Sequence, residues 1–169
     1  MGTRLFKLFF LAMFVVCGTL AGNVFAQATS ATVTVSAVVP KACRFYSAPG
    51  AMTIQHGGGL IDPTSGSNAT GSSTLNYRCT NGVSARFDID SEGTFASPKT
   101  RSVNLVGAVT SANLSADITV TATGGAGTGL GAGQDKTGTI SGSITPANFG
   151  GASPDTYSKT VTVAIEAIP

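Results

Sequence analysis

The sequence predicts an all-β fold, an antiparallel β-sandwich. Three observations lead there. Apolar and polar residues alternate through most of the chain beyond residue 26. No segment longer than a few residues repeats its apolar positions at the 3.6-residue period of a helix. Glycine, proline and asparagine turn signals separate the alternating runs. The length of 169 residues is that of one domain. With 42% hydrophobic and only 11% charged residues, the composition is not that of a highly charged disordered chain.

Residues Met1–Ala26 read as a secretory leader. Arg4 and Lys7 supply the basic start, Leu8–Val16 the apolar run, and Val24-Phe25-Ala26 the small or aliphatic positions before cleavage. The run is too short for a membrane span, which needs about 20 apolar residues. Cys17 falls inside the leader, and Phe14-Val15-Val16 lacks the small residue expected before a lipidated cysteine. Of the ten basic residues, Arg4 and Lys7 are removed with the leader, which leaves eight against eight acids. A neutral chain with dispersed charges offers no electrostatic footprint for nucleic acid or an anionic membrane. Cys43 and Cys79 remain. A lone pair of cysteines in an exported chain is most simply one disulfide, worth roughly 4 kcal/mol in the chain-entropy model.

The mature chain opens with Ala31–Val39. Ala31, Val33, Val35, Ala37 and Val39 share one face, Thr32, Thr34 and Ser36 the other, and Pro40 ends the run. Met52–Gln55 is a short strand that stops at Gly57-Gly58-Gly59. Ser73–Cys79 and Val83–Ile89 flank Asn81-Gly82, a type I′ turn signal, and so read as a hairpin. Ser102–Val109, Leu114–Thr123 and Thr137–Ile144 are further strands. The glycine-rich run Gly124–Gly133 is a mobile, low-complexity loop between two of them. The closing strand puts Tyr157, Val161, Val163, Ile165 and Ala167 on one face, with Lys159 as the exception on that face.

No catalytic constellation emerges. Gly127–Gly131 with Lys136-Thr137 fails as a phosphate loop, because Asp135 replaces the required glycine and no helix follows. Asp88-Ile89-Asp90-Ser91-Glu92-Gly93 opens like a calcium loop, but the closing acidic position is Lys99, so a strand end entering a turn is the better reading. His56 is the sole histidine, without a G-x-S-x-G nucleophile, and the cysteines have no metal spacing. Asn68-Ala69-Thr70 and Asn113-Leu114-Ser115 fit the glycosylation pattern, which arises often by chance. No cofactor, metal, nucleic acid or small-molecule substrate is expected, and the chain reads as a structural or binding module.

An alternating apolar strand at a free terminus is a pairing hazard unless something covers it. Such a strand either packs in its own domain or completes the sheet of a neighbour. Here the residues carry a resemblance. The segment Val33-x-Val35-x-Ala37-x-Val39-x-x-x-Cys43, the stretch Leu75-Asn76-Tyr77-Arg78-Cys79-Thr80-Asn81-Gly82, the strand Phe87–Gly93 and the ending Asp155–Ile165 resemble the spore coat protein U domain, the fold of Csu-type (archaic) chaperone–usher pilin subunits. Three features depart from it: Leu114–Thr123 has no aromatic residue, Ala152-Ser153-Pro154 stands where a glycine is usual, and the order of Asp155 and Tyr157 is altered.

The resemblance implies an incomplete immunoglobulin-like sandwich over residues 43–169, with residues 27–42 as a donor segment. It implies Ala31, Val33, Val35, Ala37 and Val39 as the donor face. It implies Tyr157, Val161, Val163, Ile165 and Ala167 as one wall of the acceptor groove and the chaperone-facing edge. The partners would be identical or related pilin subunits, a periplasmic chaperone and an outer-membrane usher. The location would be a surface fibre reached through the periplasm. A secreted, self-complete sandwich that binds a ligand or belongs to a coat is the alternative.

Overall fold

The computed structural model describes residues 32–57 and 59–169. The expected leader, Met1–Ala26, and Ala31 of the expected donor face lie outside the described residues. The chain divides into one unit ending at Val38 and another running from Val39 to Pro169. In the first, residues 32–38 have no regular secondary structure and all are exposed.

The second unit is all-β apart from one helical turn. Its elements are β1 (Cys43–Ser47), β2 (Ala69–Cys79), β3 (Ser84–Ile89), β4 (Lys99–Gly107), β5 (Asn113–Ala122), β6 (Lys136–Ile144), α1 (Pro146–Phe149), β7 (Tyr157–Ser158) and β8 (Val163–Ile168). Six strands form one antiparallel sheet in the order β1-β2-β6-β5-β4-β7. β3 and β8 pair antiparallel as a second sheet of two strands. The period-2 pattern explains the layers. Leu75 and Tyr77 on β2, Ile118 and Val120 on β5 and Ile140 on β6 turn inward, and Phe87 and Ile89 of β3 meet them from the other side. The Tyr77 and Phe87 rings meet edge to face at 5.7 Å between centroids. The outer face of the large sheet carries Ser and Thr, as in the cross-strand pair Thr100 and Thr119, whose hydroxyls are 2.8 Å apart.

Cys43 lies directly opposite Cys79 in the β1–β2 ladder, and the two form the disulfide expected from the sequence. β1 itself carried no clear alternation signal. α1 is a single turn with proline at its start, too short for a helical repeat to register.

Three expectations change. Ser73–Cys79 and Val83–Ile89 are not a hairpin: β2 lies in the large sheet and β3 in the small one. Both present an apolar face to the same core, so the turn between them crosses the sandwich. Only Gly82 there has positive φ, +76°, and Val83 N–H donates to Thr80 O (3.0 Å), whereas a type I′ turn needs two left-handed residues. Met52–Gln55 is no strand; Gln55 alone bridges to Thr70. Tyr157–Ala167 is not one strand. Tyr157–Ser158 pairs with β4, residues 159–162 are in no strand, and β8 pairs with β3. Alternation fixes which face meets the core, and that face survives a change of sheet.

The glycine-rich loop is held in place. Gly127 N–H donates to Val83 O (2.7 Å), Gly129 N–H to Cys79 O (3.0 Å), and the Arg44 guanidinium to Leu130 O (3.2 Å). A Cβ on Gly127 would overlap the Cys79 carbonyl, so the glycine permits this close approach. At the end of this connection Asp135 pairs with buried Arg78 (2.7 Å), and Arg78 also stacks 3.7 Å over the Tyr46 ring.

Candidate functional site: an apolar groove beside β8

Beside the two-stranded sheet, against the inner face of its six-stranded partner, lies a groove of about 1280 Å³. Its floor is the inward row of the large sheet, including Leu75, Leu114, Ile118, Ile140 and Ile144. One side is Phe45 of β1 and the stretch that follows, with Met52 and Ile54; the other is the run from Tyr157 to Val163.

Two glycines seat the first wall. Gly71 and Gly142 lie opposite each other in the β2–β6 ladder. Glycine in a strand interior weakens the strand, so its presence asks for a reason. A Cβ on Gly71 would overlap the Thr53 carbonyl, and one on Gly142 would lie 2.6 Å from Ile54 Cδ1 and 2.8 Å from Met52 Cε. The pair forms a saddle on which residues 52–54 ride. Reciprocal N–H···O bonds of 3.0 Å between Gln55 and Thr70, and Ser73 Oγ donating to Gly50 O (3.2 Å), fix the ends.

The second wall is pinned at both ends by aspartates. Asp155 accepts from Thr110 N–H (2.7 Å), Thr110 Oγ1 (2.7 Å), Val109 N–H (3.0 Å) and Thr156 N–H (2.7 Å). These donors, the Thr110 amide first and its hydroxyl next, hold its pKa down to about 2. Tyr157 Oη donates to Ser153 O (2.8 Å). Farther along, Asp90 accepts from Thr162 N–H (2.8 Å) and pairs with Lys159 (3.4 Å), while Asp90 N–H donates to Thr162 O (2.8 Å). Arg101 ties the same corner down through Ile89 O (2.6 Å) and Asp90 O (3.1 Å).

Of the wall residues expected from the sequence, Tyr157, Val161 and Val163 line the groove. Ile165 and Ala167 lie farther along β8, half-buried against the core. β3 is the only strand paired with β8 among the described residues, so the other β8 edge carries no ladder. Of the expected donor face, Val33, Val35, Ala37 and Val39 are exposed and in no strand, Val33 by 77% and Val35 by 88%.

Sequence reasoning missed the wall from Phe45 to Ile54 and the contribution of Phe149. The signal that could have found it is the pair of mid-strand glycines at Gly71 and Gly142.

The residues of the motifs weighed for catalysis have partners within the fold. The His56 ring accepts from Asp62 N–H at Nδ1 (3.0 Å), places Nε2 2.8 Å from Ser67 O, and meets Phe149 edge-on at 5.1 Å. Asp88, buried at the end of β3, accepts from Gly93 N–H (2.9 Å) and from its neighbour Ile89 N–H (2.8 Å). Lys99 pairs with Glu92, whose pKa its hydrogen bond and charge lower. The cation at the calcium-closing position thus neutralises the acid of its own turn. Among the described residues no three His, Cys, Asp or Glu side chains converge to hold a metal, and no helix is long and apolar enough to cross a membrane. Comparison with family models, curated proteins and solved structures found no match.

Proposed function

We propose that the protein is a structural subunit of a surface fimbria, polymerising by strand donation after chaperone-assisted folding in the periplasm. One observation carries the reading: an apolar groove beside a strand edge without a ladder occurs in a chain that also presents an exposed, alternating apolar segment. A segment laid along β8 would extend the small sheet through backbone hydrogen bonds. Its alternation would put Val33, Val35, Ala37 and Val39 onto the Leu and Ile floor and leave Thr34 and Ser36 outside. Each valine side chain so buried contributes roughly 1.5–3 kcal/mol. Until that happens the unpaired β8 edge needs cover, which is the role of a chaperone strand; an usher would direct the exchange.

The junction between donor and body is short. Only Pro40, Lys41 and Ala42 separate Val39 from β1. They are tethered by Thr80, whose N–H donates to Ala42 O (2.9 Å) and whose Oγ1 accepts from Ala42 N–H (3.1 Å) and approaches Pro40 O (3.2 Å).

The test is deletion of residues 27–39. The truncated subunit should still bind a cognate chaperone but form no polymer. The full subunit should run as a ladder on an unheated denaturing gel and collapse to one band on boiling. Normal assembly of the truncated protein would overturn the donor assignment. A full-length protein that is a stable monomer without any chaperone, one band in both lanes, would make it a self-complete secreted sandwich.

A further inference from the structure

The charges of the mature chain cancel in number but not in position. Around the disulfide lie Lys41, Arg44, Arg78 and Lys136, with Asp135 bound to Arg78. Lys41 and Arg44 are exposed and form no ion pair among the described residues. The groove's rim is the reverse. Asp155 lines it, and Asp62 stands between two of its lining residues, Ile61 and Pro63. Neither forms an ion pair among the described residues, while nearby Asp90 is matched by Lys159.

Strand direction brings these two regions together. Antiparallel pairing is the more stable arrangement, so an added strand runs opposite to β8. β8 runs from Val163 at the groove to Ile168, which pairs with Ser84; Ser84 O lies 3.8 Å from Cys43 Sγ of the disulfide. An antiparallel donor therefore leaves the groove past Val163, toward Tyr157 and Asp155. The three residues before β1 span at most about 10 Å. The disulfide end of the donating copy must then settle against the groove mouth of the accepting copy.

Resting on the strand-donation reading, we infer that successive copies also dock end to end, the basic collar of Lys41 and Arg44 on one copy meeting the acidic rim of Asp62 and Asp155 on the next. The partner is a second copy of this chain. The contact orients subunits before the strand is exchanged, and it stiffens the joint afterwards. Complementary charge acts chiefly on encounter rate and register. Its range shrinks from roughly 30 Å at 0.01 M salt to roughly 8 Å at 0.15 M.

The experiment follows polymer growth of the purified full mature chain by light scattering at low and high salt, with unheated gels as a parallel readout. Lys41→Glu with Arg44→Glu should slow growth about tenfold at low salt and flatten its salt dependence. Asp62→Lys should slow growth similarly, and mixing the two variants should restore the rate at their matched junctions. A heat-labile ladder from the wild type, with variants growing at the wild-type rate at every salt concentration, overturns the docking contact and leaves strand donation standing. Absence of any ladder from the wild type overturns both. Restoration in the mixture also shows that the variants are folded.

Discussion

Asp155 shows how one side chain can set a wall. It is a short acid in a turn-rich stretch, and nothing in its neighbours in sequence marks it out. In the fold it gathers amides from Val109, Thr110 and Thr156. Its pKa is about 2 in the folded chain, against an ordinary 3.8. A depressed carboxylate pKa contributes stability that is complete above the unfolded value and is lost as pH falls through the folded one. The wild type should therefore lose stability between about pH 4 and pH 2. In Asp155→Asn, urea melts across that window should lack this part of the loss. Identical acid profiles for both proteins would remove Asp155 from the account.

At the scale of elements, the decisive contact is between the 52–54 stretch and the β2–β6 pair. Strands of Ser, Thr and Gly bury little apolar surface, so position depends on how closely backbones approach. Gly71→Ala places a methyl into the Thr53 carbonyl and must lift the wall. The expected cost is about 1–3 kcal/mol in chemical denaturation, the range for an overpacked site. Gly66→Ala, where a Cβ meets nothing within 4 Å, should stay within about 0.5 kcal/mol of wild type. Equal stability of the two variants would show that the saddle carries no load. Elements also explain what alternation left open. Tyr157 to Ala167 reads as one strand, yet it serves β4 with its first residues and β3 with its last, turning on the Asp90–Thr162 bonds.

For the molecule as a whole, the unequal sheets matter most: six strands face two. The floor of the groove is the same buried Leu and Ile row that forms the core. A peptide of residues 31–41 added to the subunit lacking residues 27–39 should raise its thermal midpoint by several degrees. Ligand at about 100 times its Kd stabilises a fold by roughly 2.7 kcal/mol. The same peptide with Val33→Asp and Val35→Asp should do nothing. A midpoint unmoved by the wild-type peptide would show that the groove does not take this segment.

The sequence by itself determined the all-β class, the inward face of β2 and β3, and the Cys43–Cys79 pairing. Each depends on local periodicity or on there being only two cysteines beyond residue 26 to join. The disulfide also constrains β1 to lie beside β2, though nothing in β1 itself announced a strand. Only the tertiary structure decided which strands share a sheet. It turned an apparent hairpin into a crossing between layers, split the last strand between two sheets and seated a strandless stretch on two glycines. The reason is physical: alternation records which side of a strand meets the core, and it is indifferent to which neighbour supplies the hydrogen bonds.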